Sequence, residues 1–229
     1  MKSIFKLVAC LFLCVSLNSF GAYYVKTDGS IVDPIKNWGG VPHPYNGNNL
    51  EPYADLELVN LDNAHIPKAN LLYANLVGAN LSETNLFLAD LSNTNLVNSR
   101  IRQANLMDTN FTSSDLTGAD LSDGTDMSHT NFTNADLTNA NLTNTKLFFT
   151  NFSYADLSGV NFSGAVELQG ATPTWSYATF TGAKYNNLTT FAENMNPQTL
   201  GMTFVPLPAG ITLFLSGLVG LGLMRGRNA

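Results

Sequence analysis

The sequence predicts an all-β solenoid with irregular caps, preceded by a signal peptide and followed by a transmembrane helix. Three observations lead to this fold class. An apolar residue returns at every fifth position between residues 54 and 164, and each end of the chain carries an apolar run. Charged residues make up only 12% of the 229 residues, well below the ~25% usual in soluble domains.

Residues 54–164 contain 22 five-residue repeats, and we call the apolar residue of each repeat its centre. One extra residue near Asp123 and Gly124 separates the first 14 repeats from the last 8. The centres are Leu56, Leu61, Ile66, Leu71, Leu76, Leu81, Leu86, Leu91, Leu96, Ile101, Leu106, Phe111, Leu116, Leu121, Met127, Phe132, Leu137, Leu142, Leu147, Phe152, Leu157 and Phe162.

A period of five fits neither an α-helix nor a flat strand. On a helix, five steps of 100° would spread the centres around the cylinder. On a strand, an odd period sends successive centres to opposite faces. The chain can bury every centre only if it turns after each short strand, so we expect it to coil with the centres inward.

The other positions of the repeat are nearly as regular as the centre. The residue two before the centre is always small, with 11 Ala, 7 Thr, 2 Ser and 2 Val, and the residue just before it is Asn in 12 repeats and Asp in 7. Sequences such as Ala119-Asp120-Leu121-Ser122 and Ala135-Asp136-Leu137-Thr138 resemble the pentapeptide-repeat family. The resemblance implies a right-handed quadrilateral β-helix with four repeats per coil.

Phe111, Phe132 and Phe152 stand four repeats apart, so four repeats per coil would stack them in one column. We interpret the extra residue at Asp123-Gly124 as a bulge at a corner. The flanks are predicted to cap the open ends, because exposed strand edges need covering. The N-terminal cap is predicted over 22–53, degenerate repeats with a C-terminal cap over 165–194, and a linker over 195–204.

Residues 1–21 have the pattern of a secretory signal peptide. Lys2 and Lys6 precede the apolar run 7–17, and small residues follow it, with cleavage predicted after Gly21. A buried helix is the alternative interpretation. Both cysteines, Cys10 and Cys14, lie in this segment, so the mature chain is expected to form no disulfide.

Residues 205–229 form a proline motif, an apolar stretch and a basic end. Residues 204–224 carry no charge and are long enough, at about 31 Å, to cross the hydrocarbon core as a helix. The three-part order resembles the PEP-CTERM sorting signal, which implies processing by an exosortase, a membrane cysteine protease. The usual Glu between the prolines is Leu207 here. A plain C-terminal anchor is the alternative. The sorting residues are Val205, Pro206, Leu207, Pro208, Ala209, Arg225 and Arg227.

The sequence indicates no chemical site. The Asn and Asp residues before the centres could be taken for metal ligands, but such side chains commonly bond local backbone at turns. His43, His65 and His129 show no ligand spacing and are interpreted as surface residues. We therefore expect no catalytic, cofactor-binding or metal-binding residues, and no enzymatic activity.

One outward surface is predicted to bind a partner, either a second copy or a matrix component. With four repeats per coil, its apolar residues project from one side of the column, with Ser128 and His129 between them. This candidate interaction patch consists of Phe87, Leu88, Met107, Phe148 and Phe149.

These features predict an exported, non-enzymatic structural or interaction protein of a Gram-negative bacterium. We expect it to meet signal peptidase, to be anchored transiently in the inner membrane, and to be processed by an exosortase-like enzyme. It would then reach the envelope surface or the extracellular matrix. The net charge of −6 argues against nucleic acid as a partner.

Two other function classes remain as alternatives. Some acidic members of the repeat family resemble DNA and inhibit a topoisomerase, and the repeats here carry 12 Asp and Glu against 4 Lys and Arg. A signal peptide would keep this protein away from a cytoplasmic topoisomerase. An enzyme acting on polysaccharide is the other alternative, but no convergent carboxylate pair supports it.

Overall fold

The computed structural model describes residues 23–45, 47–167 and 175–207. The predicted signal peptide and the predicted transmembrane helix, from Pro208 onward, lie outside the described residues. None of the described residues belongs to a helix that could span a bilayer.

The repeats wind into a β-helix with four repeats per coil. The residue before each centre forms a parallel bridge with its counterpart four repeats later, beginning with Asp55 and Asn75 and continuing through Arg100 and Asp120. All 22 centres are fully buried, so the predicted inward orientation is confirmed. Burying one aliphatic side chain of this size contributes about 1.5–3 kcal/mol.

A tight turn after each centre makes the corner of the coil. In the repeat of Leu61, for example, the Ala64 amide donates to the Leu61 carbonyl at 3.0 Å. The residue two after the centre has a positive φ in all 22 repeats, between 55 and 73°. A positive φ at the third residue is typical of a type II turn. We call this third residue the corner residue of its repeat.

The extra residue lies at the corner of the Leu121 repeat. Asp123 and Gly124 both have a positive φ, and both amides bond to carbonyls of the next coil, at Thr143 and Asn144. Bridged pairs that span this corner are one position further apart in the sequence than the others, as Asn105 and Asp126 are. The corner therefore absorbs the insertion, and the columns of centres continue past it.

The phenylalanine column forms as the sequence predicts and is longer than predicted. The rings of Phe111, Phe132 and Phe152 stack at centroid distances of 5.0 and 5.2 Å. Phe180 extends the stack by another 5.2 Å. It does so although the chain takes a longer path there, with Asn151 bridged to Thr179.

The N-terminal cap covers one end of the coil and part of its side. Strands β1 (Tyr24–Val25) and β2 (Ile31–Val32) form an antiparallel pair. Strand β3 (Lys36–Asn37) pairs antiparallel with β4 (Ala64–His65), which belongs to the first coil.

At the other end, β5 (Lys184–Tyr185) pairs in parallel with β6 (Thr203–Phe204). Residues 195–204, which the sequence suggested as a linker, thus contribute a strand to the last coil. Met195 and Met202 are buried there, and they cover the end of the core.

Candidate interaction surface

The five residues of the candidate patch all lie at corners on one side of the column. They follow the centres Leu86, Leu106 and Leu147, which stack in the column that begins at Ile66. Leu88 and Phe149 are corner residues with 39 and 46% of their surface exposed, whereas Phe87, Met107 and Phe148 are half-buried.

Backbone hydrogen bonds hold these corners in register. A corner residue on this side donates its amide to the next coil, at the carbonyl of the residue just before that coil's corner residue. The Leu88 amide donates to the Met107 carbonyl at 3.1 Å, and the His129 amide donates to the Phe148 carbonyl at 2.8 Å. The outward side chains therefore form a regular ladder, one rung per coil.

The structure adds His129 and Tyr177 to the patch. The His129 ring stacks on Phe149 with centroids 5.1 Å apart, and the Phe148 and Phe149 rings are 4.3 Å apart. Tyr177 packs against the two phenylalanines at 5.1 and 5.3 Å and is 41% exposed. We call the enlarged set the aromatic surface, and its members are Phe87, Leu88, Met107, His129, Phe148, Phe149 and Tyr177.

Sequence reasoning missed Tyr177 because it lies after the five-residue pattern has ended. Glu167 holds its segment in place. Its carboxylate accepts hydrogen bonds from the amides of Ser176, Tyr177 and Ala178, at 3.0, 2.9 and 2.7 Å. Glu167 is 3% exposed and occupies the position where the column of Leu147 would place its next centre. An acid at a centre position is the signal that could have revealed this clamp.

The polar column beside the aromatic surface is internally bonded. The Asn85 amide group lies 3.0 Å from Nδ1 of His65, and Asn105 donates to Asn85 at 3.2 Å. Further along, Lys146 contacts Asp126 at 3.2 Å. Burial would raise the pKa of Asp126, but hydrogen bonds from Ser128 and the contact with Lys146 outweigh it and lower that pKa.

His65 differs from the surface position that the sequence suggested. Its ring lies 5.3 Å from the Trp38 ring, and Trp38 is fixed by a hydrogen bond from its indole to the Glu83 carbonyl at 2.7 Å. Burial under this cap lowers the pKa of His65. The side chain therefore joins the N-terminal cap to the first coil.

The same pattern of internal bonding holds for the Asn and Asp residues in general. Their side-chain oxygens accept amide hydrogen bonds from the residue two positions on, as Asn131 does from Thr133 at 3.1 Å. Many also bond along the column, as Asn151 does to Asn131 at 3.3 Å. Within the described ranges, no group of His, Cys, Asp and Glu is arranged to hold a metal ion.

The first sorting residues follow the last strand directly. The Val205 amide donates to the Tyr185 carbonyl at 2.7 Å, and Pro206 is exposed. Leu207 is the last described residue, so Pro208, Ala209, Arg225 and Arg227 lie outside the described part of the chain.

The model of the family described as pentapeptide repeats matches residues 54–91, 84–123 and 125–164. These matches coincide with the repeats whose centres are buried in the structure. No curated protein matches the chain.

Solved structures similar to this chain include the following three. QnrB1, a plasmid-mediated fluoroquinolone resistance protein, is 16% identical over 75% of this chain and 92% of its own, with a TM-score of 0.45. HetL, involved in heterocyst differentiation regulation in the cyanobacterium Nostoc, is 26% identical over 66% of this chain and 77% of its own, with a TM-score of 0.25. Rfr23 from the cyanobacterium Cyanothece is 27% identical over 62% of this chain and 90% of its own, with a TM-score of 0.23.

Proposed function

Because residues 54–164 form a pentapeptide-repeat domain, we propose that this chain is an exported structural or interaction protein without enzymatic activity. Its repeats form a rigid column that presents the aromatic surface to a partner. An exosortase-like system would sort it to the cell envelope or extracellular matrix.

The main support for the proposal is that the polar side chains of the column bond within the protein, whereas several apolar side chains are exposed to solvent. The abundant Asn and Asp side chains hydrogen-bond to the backbone and to one another, as in the pair Asn131 and Asn151. These side chains therefore stabilise the turns at the corners. The aromatic surface instead directs Leu88, Phe149 and Tyr177 toward solvent. The rings of Phe149 and Tyr177 lie in contact, and a contiguous exposed apolar patch on a folded protein can mark a contact surface.

The position of the sorting residues supports processing of the tail. Among the described residues, Val205 makes the last backbone hydrogen bond to the column, and the proline motif starts at the next residue. Cleavage at or near Pro206–Ala209 would release the tail without removing any strand. The folded column would then leave the membrane intact.

The test is the intact mass of the native protein after fractionation of its cells. The expected product lacks residues 1–21 and ends at or near 206–209, in the envelope or extracellular fraction. The control is a variant in which Pro206 and Pro208 are both replaced by alanine, which should keep Arg227 and accumulate in the membrane.

Two results would contradict the proposal. A wild-type mass that still includes Arg227 would favour the plain membrane anchor. A cytoplasmic pool that keeps Met1 would favour the acidic DNA mimic. That alternative is based on the excess of acidic residues in the repeats, 12 against 4 basic ones.

A further inference from the structure

We propose that the aromatic surface pairs with the same surface of a second copy, in an antiparallel arrangement. The two-fold axis would pass between the corner of Asp108 and the corner of His129. This inference names the partner of the aromatic surface and so rests on that part of the proposed function, but it does not depend on export or sorting.

The first argument is the order of residues along the corner. The ladder on this side reads Lys68, Leu88, Asp108, His129 and Phe149, all with a positive φ between 55 and 61°. Tyr177 continues it beyond Phe149. Successive rungs are about 4.8 Å apart, the spacing of hydrogen-bonded strands.

When a second copy runs in the opposite direction, each corner residue of the ladder lies opposite a residue with which it can make a favourable contact. A two-fold axis between Asp108 and His129 places each of these two residues opposite the other. It also places Leu88 opposite Phe149, and Lys68 opposite Tyr177. The contacts formed are an acid with an imidazole, an aliphatic side chain with an aromatic ring, and an ammonium group with an aromatic ring, and all three are favourable.

Equal spacing makes all the contacts form at once. A two-fold interface is isologous, so every contact occurs twice. Because both copies have the same rise per coil, aligning one pair aligns the others. The half-buried Phe87 and Phe148 would face each other in the same register and add apolar area on both sides of the axis.

The second argument is the residue type at two strained corners. Leu88 and Phe149 have φ values of 58 and 55°, a region that costs an ordinary side chain of order 1 kcal/mol or more. Asn fills the same position at Asn93, Asn98 and Asn134 and tolerates it better. Neither Leu88 nor Phe149 fills the interior, so in the proposed dimer burial against the partner offsets this cost.

The third argument is that the surface is held ready for contact. Three hydrogen bonds to the buried Glu167 fix the segment of Tyr177. The packing of Tyr177 on Phe148 and Phe149 restrains all three rings. Side chains that are already ordered lose less entropy on association.

The arrangement can be tested by cross-linking single-cysteine chains. Full chains with Cys10 and Cys14 replaced by serine, purified in mild detergent, would carry either Leu88→Cys or Phe149→Cys together with tags of different mass. The two chains are mixed, allowed to exchange, and treated with a short bifunctional maleimide. The antiparallel pairing predicts mostly mixed dimers, because two copies of position 88 would lie about 14 Å apart.

The matched control uses Asn93→Cys and Tyr154→Cys. These positions lie on the next corner of the same coils and are as far apart in the sequence as positions 88 and 149. Mixed products several-fold above this control support the proposal. It is overturned if the mixed product does not exceed the control, or if same-position dimers predominate.

A second measurement uses sedimentation equilibrium of the full chain in the same detergent. Replacing both Leu88 and Phe149 by Asn, the residue common at these corners, should preserve the fold and yield monomers. Replacing Tyr73 and Tyr154 by Asn should leave the dimer intact. A dimer that persists in the Leu88/Phe149 variant, or a wild-type chain that is monomeric, would overturn the proposal.

Discussion

Single buried hydroxyl groups tie each coil to the one before it. At the small positions, Thr84 donates to the Leu61 carbonyl at 2.9 Å and Thr109 to the Leu86 carbonyl at 2.8 Å. Ser114 makes the same contact with Leu91 at 2.6 Å. Thr94 and Thr145 instead donate to carbonyls three residues back, at Leu91 and Leu142. Ser99 differs from all of these, because its buried Oγ has no hydrogen-bond partner among the described residues.

Replacing Ser99 by alanine should therefore stabilise the protein. Removing an unsatisfied buried hydroxyl recovers its desolvation penalty, about 1 kcal/mol. Chemical denaturation should show a higher free energy of unfolding for Ser99→Ala and a lower one for the matched Ser114→Ala. Equal changes in the two variants would show that partner bonding at this position has no effect on stability.

At the scale of the single coil, side-chain size decides which positions can face inward. The centres fill the interior, and the small residues beside them let neighbouring strands turn sharply at the corner. Ala119 has no exposed surface, and its amide bonds the Leu116 carbonyl at 2.9 Å. Corner residues, by contrast, point outward and accept rings, as Phe149 and Tyr154 show.

Ala119→Phe should destabilise the fold markedly, because a ring at this position must displace packed strands. We expect a loss of about 3 kcal/mol or more, which thermal melting followed by circular dichroism would measure. The control is Asn134→Phe at an exposed corner, with a change of about 1 kcal/mol at most. An unchanged melting temperature for Ala119→Phe would contradict the inward position of this methyl group.

At the scale of the whole molecule, stability is a sum over coils that touch only their neighbours. The parallel bridges join positions one coil apart throughout the repeats. The N-terminal cap and the strand pair β5–β6 close the two ends, so that the open edges do not recruit other strands. Such a column should tolerate loss of a complete coil.

Deletion of residues 94–113 removes four complete repeats and keeps every later centre in phase. We expect this variant to keep its β-sheet circular dichroism and to melt cooperatively. Deletion of 94–111 leaves two surplus residues and should lower the melting temperature much further. Similar melting of the two variants would argue against a coil of four complete repeats.

Most of the fold could be predicted from the sequence because every repeat needs the same contacts, and these lie within the repeat or one coil away. A centre such as Leu121 needs only its own turn and a neighbour one coil away. The aromatic patch followed from the same count, since the coil length alone places Phe87 and Phe148 on one side. The prediction weakened at His65, which the N-terminal cap covers, and at residues 195–204, where the chain has left the five-residue period and joins the last coil.

By itself, the sequence determined the coil, its inward residues and the common side of Phe87, Leu88, Met107, Phe148 and Phe149, because a strict period leaves one way to bury every centre. Only the tertiary structure decided what lies beside those corners. Tyr177 reaches Phe149 through a segment whose length no repeat specifies, and a buried Glu167 holds it there. The physical reason is that hydrogen bonds and ring contacts between distant segments depend on the path of the chain, which periodicity does not encode.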